Sequence, residues 1–538
     1  MGDAMPTFTM SRGRWRAVTA LVACLATLVV ISTYPIFSAM WDEPAHIAAG
    51  MEWLSRGQYT YEPQHPPLAR VAAALGPYLG GARAIGRGGM YAEGRALLGE
   101  GAHYRRLLTL ARVGMLPFLW LTLALCAAWG VRAAGPAGGT LAVVFAATNP
   151  NLLAHAGVAG TDLAPAALAV AALFAWMRWR QEPTRGRALL FGATVGLAAA
   201  AKFSALVYLA PALLFGEVAR WLVPRTAPLR DTVSIPWRQA VAGCAAAALV
   251  LWAMYRFDVG PIRGIWVPAP ALFSGVRAFL QHATGGHPAF LLGRVSQRGW
   301  WYYYLVALAV KTPLPLLTLA VVGTVESVRA ARTERWPALV PLAGAAAVLV
   351  VALTSRIDLG VRIVLTIYPF LAVIAARGAV TAWTRGGPRV AIVMRRAATV
   401  ALVATSLVIP VQAWPDYLAY FNPIAGARPE RVLVDSNLDW GQDLYRLADT
   451  VRARHIDSVR VHYFGSSNLD AVGLVNARRL DLDERTTGWV AASETFLAGV
   501  WSDTSLRWLA RRTPVARIGP SMRLYYIAPD STQIRSPR

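Results

Sequence analysis

Charge is scarce in this chain. Asp, Glu, Lys and Arg make up 15% of its 538 residues and hydrophobic residues 56%, where a soluble domain usually carries about 25% charge. Those proportions exclude a disordered chain and argue against a soluble enzyme of this size. Cysteine is also sparse. Cys24, Cys126 and Cys244 each sit inside an apolar run, and neither their odd number nor their spacing gives a disulfide framework or a cysteine metal cluster. Lysine is nearly absent: of 53 basic residues only Lys202 and Lys311 are lysines, so a strong preference for arginine was set aside at two places. There is no phosphate-binding glycine loop, no nucleophile elbow, no zinc-ligand pair and no repeat of fixed period.

What the chain does have is apolar length and a lopsided charge. The formal net charge is +24, yet residues 1–412 hold 37 basic and 15 acidic residues, whereas 413–538 hold 16 and 14. The cationic excess travels with the apolar sequence, as it does when arginine marks the cytoplasmic ends of membrane helices. Nucleic acid is therefore not the partner expected; the membrane is.

A bilayer-spanning helix needs about 20 mostly apolar residues, and eleven stretches meet or approach that rule: 17–37, 107–129, 137–155, 162–178, 188–202, 204–222, 239–256, 302–323, 337–354, 361–381 and 396–413. With a cytoplasmic amino terminus, every connection assigned to the cytoplasm is basic. The first of these carries Arg12, Arg14 and Arg16, and the last carries Arg385, Arg389, Arg395 and Arg396. The first apolar run also fits a signal peptide ending near Ala39, but cleavage there would cut Asp42 off from its anchor. The sequence thus reads as a mostly α polytopic helix bundle over 1–413, with a long first outer loop at 38–106 containing interfacial helices. An extracytoplasmic α/β unit follows over 414–538. In that unit, 431–436, 459–464, 488–497 and 523–528 read as strands, and 440–454 and 505–512 as helices.

This topology gathers distant polar residues at one face. Asp42 and Glu43 follow the first span, Asp162 joins the third and fourth, Lys202 the fifth and sixth, and Arg356, Asp358 and Arg362 the ninth and tenth. Ionisable groups at membrane depth are costly and face a cavity or one another. Duller readings stand beside this one: Asp42 followed by Glu43-Pro44 suits a helix start, Lys202 suits snorkelling, and Ile47, Met51 and Leu54 suit a helix lying on the membrane surface. Lys311 lies too deep to snorkel easily, which calls for a buried partner. His46 and His65 share the first outer loop with the acidic pair and leave a divalent cation open, although no recognisable ligand spacing supports it.

Asp42-Glu43, His46, Gly50 and His65-Pro66-Pro67-Leu68 together resemble the first outer loop of the protein O-mannosyltransferase-like family, family 39 of the C superfamily of membrane glycosyltransferases. The segments 149–162 (NPNLLAHAGVAGTD), 196–202 (GLAAAAK), 311–313, 359–370 (LGVRIVLTIYPF) and 435–444 (DSNLDWGQDL) are similar to later segments of its bacterial members. The chain departs from the family in having Arg362-Ile363 and in lacking a soluble domain between spans, so neither a mannose donor nor a protein acceptor is inherited. The resemblance implies a bacterial cytoplasmic-membrane enzyme. Such an enzyme moves a sugar from a polyprenyl-phosphate carrier to an acceptor hydroxyl on a lipid, glycan or protein, with no certain cofactor. It also implies roles. Asp42 would act as general base, and Glu43 would orient it or hydrogen-bond the incoming sugar or acceptor. Lys202 and Arg362, then Lys311, Arg294 and Arg298, would meet the donor phosphate, and His46, His65, Asp162 and Asp358 would contact substrate. Two rivals remain, a transporter coupled through its intramembrane charges and a sensor using 414–538 as ligand domain; paired broken helices typical of transporters are not evident.

Overall fold

The computed structural model describes residues 11–223, 236–334, 336–480, 486–501 and 506–529. Eight stretches within helices are long and apolar enough to cross a membrane: Arg12–Thr33, Gly101–Ala147, Ser204–Leu222, Trp237–Met254, Leu314–Thr333, Trp336–Thr354, Ile367–Thr384 and Arg389–Ala413. The expected spans 107–129 and 137–155 fall largely in the second of these, which breaks at Ala134-Gly135, just ahead of Pro136. Proline lacks the donor that would continue the ladder, and Gly135 takes φ +70° there. Expected spans 162–178 and 188–202 are the helices Leu163–Gln181 and Arg185–Ala201. The span expected at 302–323 is two helices, Tyr303–Lys311 and Leu314–Glu334, parted at Thr312-Pro313. The span expected from 361 starts only at Ile367, because 361–366 is a series of turns.

The long first loop folds into four helices, Glu43–Arg56, Pro67–Leu79, Met90–Leu98 and Gly101–Val113. The first does not lie on a surface: Glu43 through Glu52 are all buried. Its neighbour Pro67–Leu79 comes so close at Gly50 that a side-chain carbon there would overlap the Arg70 carbonyl, so glycine is required by contact rather than by backbone angle.

Strands β1 (Val259–Ile262) and β2 (Ile265–Pro268) form one small hairpin, and β3 (Ala289–Leu291) and β4 (Arg294–Ser296) a second. The C-terminal unit is built on a five-stranded sheet, β5 (Val459–His462), β6 (Ala477–Arg479), β7 (Gly488–Ser493), β8 (Ala516–Ile518) and β9 (Met522–Ile527), in the order β6-β5-β7-β9-β8. β5 pairs in parallel with β6 and β7, while β9 runs antiparallel to β7 and β8. The helix expected at 440–454 is Leu444–Ala453, the one expected at 505–512 shrinks to Arg507–Ala510, and the third strand stops at Ser493, where a short helix Glu494–Leu497 takes over.

The strand expected at 431–436 is not a strand. Two 3₁₀ turns, Pro429–Arg431 and Asp435–Asn437, stand in its place. The apolar run was real, since Leu433 and Val434 are buried, but not as a strand of the sheet: Val434 packs with Phe290 of the second hairpin, Leu438 and Val500, and Leu292 N donates to Val432 O at 3.0 Å. One apolar core runs from the bundle into the C-terminal unit, joining Trp129 and Phe370 to Trp440, Phe464 and Val490. Main-chain bonds stitch the two together: Ser38 N to Gln442 O at 3.1 Å and Trp41 N to Trp440 O at 2.9 Å.

Candidate active site

Tyr34 to Asp42 form the junction between the first long helix and the first loop helix, and a buried arginine holds it. Arg112 donates to the carbonyls of Tyr34, Phe37 and Ser38 at 3.2, 2.9 and 2.9 Å, and its Nε and Nη2 form a two-pronged ion pair with Glu43 at 2.9 and 2.8 Å. Glu43 is fully buried and also accepts from the main-chain amides of Met40 and Ala159, each at 2.8 Å. It faces this bracket and does not line the cavity described next. What the bracket does is fix where the preceding residue, Asp42, emerges.

Asp42 emerges into a cavity of about 850 Å³, lined also by Glu62, His65, Asp162, Lys202, Arg362 and Asp435. Arg362 is the hub. Its Nη1 lies 3.3 Å from Asp42 Oδ2 and 3.8 Å from Asp162 Oδ2, and its guanidinium stacks 4.5 Å above the Trp440 ring. Lys202 Nζ bonds Asp162 Oδ1 at 2.7 Å. Tyr91 donates to Asp42 Oδ1 at 3.2 Å and in turn accepts from Trp41 Nε1 at 3.1 Å. Asp42, Asp162, Lys202 and Arg362, spread over 321 positions of sequence, therefore form one chain of contacts. The two cations are held ready by carboxylates rather than left in water, as a site needs if it is to stabilise charge that develops during reaction.

The other residues singled out in the sequence divide. His65 lines the cavity and bonds Glu62 through Nδ1 at 3.0 Å; burial and the nearby Arg70 and Lys202 charges hold its pKa below the usual value despite the Glu62 carboxylate. His46 is buried behind it, accepting from Arg70 Nε at 3.2 Å, with its ring 5.6 Å from that of His65. Asp358 lies beneath the rim, accepting from Trp300 N at 2.7 Å, and burial pushes its pKa up to about 6. Arg294 and Arg298 are exposed on and beside the second hairpin, away from the cavity. Lys311 is also elsewhere: it is fully buried, and its Nζ donates to Leu418 O and Asn437 O, both at 2.7 Å. The buried partner its depth called for exists, but it is main chain, so the lysine clamps the C-terminal unit onto the bundle. Among the described residues no group of three or more His, Cys, Asp or Glu side chains is placed to hold a metal ion.

Lys311→Met leaves two buried carbonyls unpaired and is expected to lower stability by about 1–3 kcal/mol. The check is the thermal midpoint of the purified protein in detergent, and an unchanged midpoint would contradict the clamp.

Sequence reasoning missed Glu62, Tyr91, Trp440 and Asp435 as cavity residues. Asp435 and Trp440 stood inside the 435–444 segment but were read as strand and helix; nothing in the sequence marks Tyr91. In the turn Asp435–Asn437, Asp435 takes φ +57°, a conformation that costs a non-glycine residue of order 1–3 kcal/mol. Its Oδ1 accepts from Ser436 N at 2.5 Å, its Oδ2 is buried without a hydrogen-bond partner, and burial pushes its pKa up to about 6 against the pull of Arg362. The segment carries two more buried carboxylates. Asp439 accepts from Thr495 N at 3.0 Å, and Asp443 from Ser521 Oγ at 2.7 Å; burial raises them to about 7 and about 6.

Asp439 gives a pH prediction. Because its folded pKa is raised, the folded state keeps a proton between about pH 4 and pH 7 that the unfolded chain has released, and stability falls as pH rises through that window. Asp439→Asn is expected to flatten this fall in a series of thermal midpoints, and an unaltered slope would count against it.

No family model and no curated protein sequence matches the chain. Solved structures do. ArnT from Cupriavidus metallidurans bound to undecaprenyl phosphate superposes with a TM-score of 0.51 at 14% identity, covering 95% of this chain and 99% of that one. The two share a fold. The apo state of the same ArnT gives a TM-score of 0.49 at 15% identity, again over 95% and 99% of the two chains. The Archaeoglobus fulgidus oligosaccharyltransferase complex with Zn and sulfate gives 0.46 at 13% identity, over 90% of this chain and 70% of that one. The ArnT likeness extends across the helix bundle and the C-terminal unit alike, so the membrane-bundle architecture read from hydropathy is the architecture found.

Proposed function

We propose that the protein is a glycosyltransferase that moves a sugar from a polyprenyl-phosphate donor to an acceptor hydroxyl at the outer face of the bacterial cytoplasmic membrane. The observation that carries this reading is the Asp42–Arg362–Asp162–Lys202 chain lining a cavity at one end of an apolar bundle. The undecaprenyl phosphate in the ArnT structure supports a lipid-phosphate donor for a chain of the same fold. A polyprenyl tail stays in lipid and leaves its phosphosugar at the interface, where Lys202 and Arg362 meet the phosphate and neutralise it as it leaves. Asp42 takes the proton of the attacking hydroxyl. A single displacement with inversion needs no second nucleophile. Glu43 acts through position, by holding the backbone from which Asp42 projects. Residues 1–413 then form the donor side and 414–538 the acceptor side, with a cytoplasmic amino terminus and an extracytoplasmic carboxyl terminus.

The test is incubation of the purified protein with radiolabelled undecaprenyl-phosphate hexoses and pentoses, with release of free sugar and transfer both scored. Consumption of at least one donor is expected; none consumed, with solute uptake in vesicles instead, would move the protein to the transporters. In the same assay Lys202→Gln is expected to slow turnover by about 10–100-fold, the loss of one charge-assisted contact to the leaving phosphate.

A further inference from the structure

Four carboxylates line the cavity, and three already have cationic or imidazole partners: Asp42 has Arg362, Asp162 has Lys202 and Arg362, and Glu62 has Arg70 and His65. Asp435 is the fourth, and its Oδ2 is buried with no hydrogen bond. Nor is its placement loose. Asp435 N bonds Thr495 Oγ1 at 3.1 Å, Val361 N bonds Asn437 Oδ1 at 3.1 Å, and Lys311 holds the Asn437 carbonyl at 2.7 Å. A turn clamped from the C-terminal unit and the bundle keeps a strained aspartate beside Arg362 and Asp42, and buried polar atoms left open in this way call for an explanation.

The same wall is aromatic. Trp440, Phe464 and Trp501 of the C-terminal unit line the cavity together with Trp41. The Trp41 and Phe464 rings lie 4.8 Å apart at 30°, those of Phe464 and Trp501 6.3 Å apart at 22°, and Trp501 is 42% exposed. An aromatic surface beside two carboxylates complements a pyranose, whose C–H face packs on rings while its hydroxyls donate outward.

We propose that Asp435 accepts a hydrogen bond from a second hydroxyl of the acceptor while Asp42 receives the proton of the first, so that the acceptor is a sugar ring rather than a serine or threonine side chain. The inference rests on the transferase reading above and adds the acceptor class to it. A serine brings a single hydroxyl and leaves Asp435 Oδ2 buried and unmatched, and sites built to bond a hydroxyl discriminate strongly against ligands that lack it.

The experiment supplies the purified full chain with the radiolabelled undecaprenyl-phosphate sugar that it hydrolyses. One set of acceptors is a panel of methyl pyranosides and N-acetylhexosaminides, and the other is serine and threonine peptides. Asparagine tolerates positive φ, and with its oxygen kept on Ser436 N it presents an amide donor where Oδ2 stood, so Asp435→Asn tests recognition without forcing the turn open. Expected is transfer to a pyranoside and not to the peptides, with acceptor KM raised about 10–100-fold in Asp435→Asn and kcat changed less. Transfer to peptides alone, no pyranoside accepted, or an unchanged acceptor KM would each overturn the inference. Donor hydrolysis by the wild-type protein without acceptor keeps the two readings apart: its absence removes the transferase, whereas its presence alongside a failed pyranoside arm removes only the acceptor class.

Discussion

Asp42→Asn is expected to lower sugar transfer by about 10²–10⁴-fold, the usual contribution of a positioned general base. The substitution keeps shape and can keep the Tyr91 contact, at 3.2 Å in the native protein, but it removes the charge proposed to accept the proton. Asp42 is partly exposed to the cavity and is held at 3.3 Å by Arg362, so the fold does not depend on it. The loss should therefore fall on kcat, while the donor KM stays near its native value if Lys202 and Arg362, both unchanged, meet the phosphate as proposed. Single-turnover measurements with labelled donor read this directly. Full turnover in Asp42→Asn would assign the proton to another group, with Asp435 the next carboxylate on the cavity wall.

Breaking the Arg112–Glu43 bracket is expected to have the largest effect on stability. Both side chains are essentially buried, and removing one partner of such a pair leaves an uncompensated charge, at a cost of about 3–5 kcal/mol. Arg112→Ala also leaves the carbonyls of Tyr34, Phe37 and Ser38 without their donor. By contrast Arg452–Asp449, with both side chains 71% exposed, should contribute about 0–1 kcal/mol, and Arg452→Ala serves as the control. Thermal unfolding in detergent should separate the two variants clearly. Glu43→Gln combined with Arg112→Ala should cost less than the sum of the single changes, because the second change removes a charge already stranded. Equal, small shifts for the bracket and the surface pair would mean that the bracket does not set the Asp42 junction.

The bundle, and the meeting of Asp42 with Lys202 and Arg362, were legible because hydropathy and the arginine pattern fix which helix ends share a face. Contacts within that face followed as well: Lys202 reaches Asp162, and Arg362 reaches Asp42. What stayed hidden depends on tertiary packing. Periodicity shows that Leu433 and Val434 are buried, but not that Val434 packs with Phe290 of the second hairpin and Val500 instead of within the sheet, so a clamped turn carrying Asp435 read as a strand. Lys311 looked like a phosphate ligand because depth alone cannot tell an anionic partner from two peptide carbonyls more than 100 residues away. Glu43 looked like a partner in chemistry because its adjacency to Asp42 says nothing of where each side chain goes, Asp42 to the cavity and Glu43 to Arg112. The helix read from the Ile47, Met51 and Leu54 spacing is covered by protein over Glu43 to Glu52, because small residues such as Ala48, Ala49 and Gly50 let neighbours close over what looked like its open face.

The most direct measurement of the central claim is a cryo-EM structure of the purified protein with undecaprenyl phosphate. The prediction is phosphate density inside the cavity, within hydrogen-bond distance of Lys202 Nζ and the Arg362 guanidinium, with Asp42 facing it. Phosphate bound elsewhere on the bundle, with Lys202 and Arg362 still occupied only by Asp162 and Asp42, would contradict it.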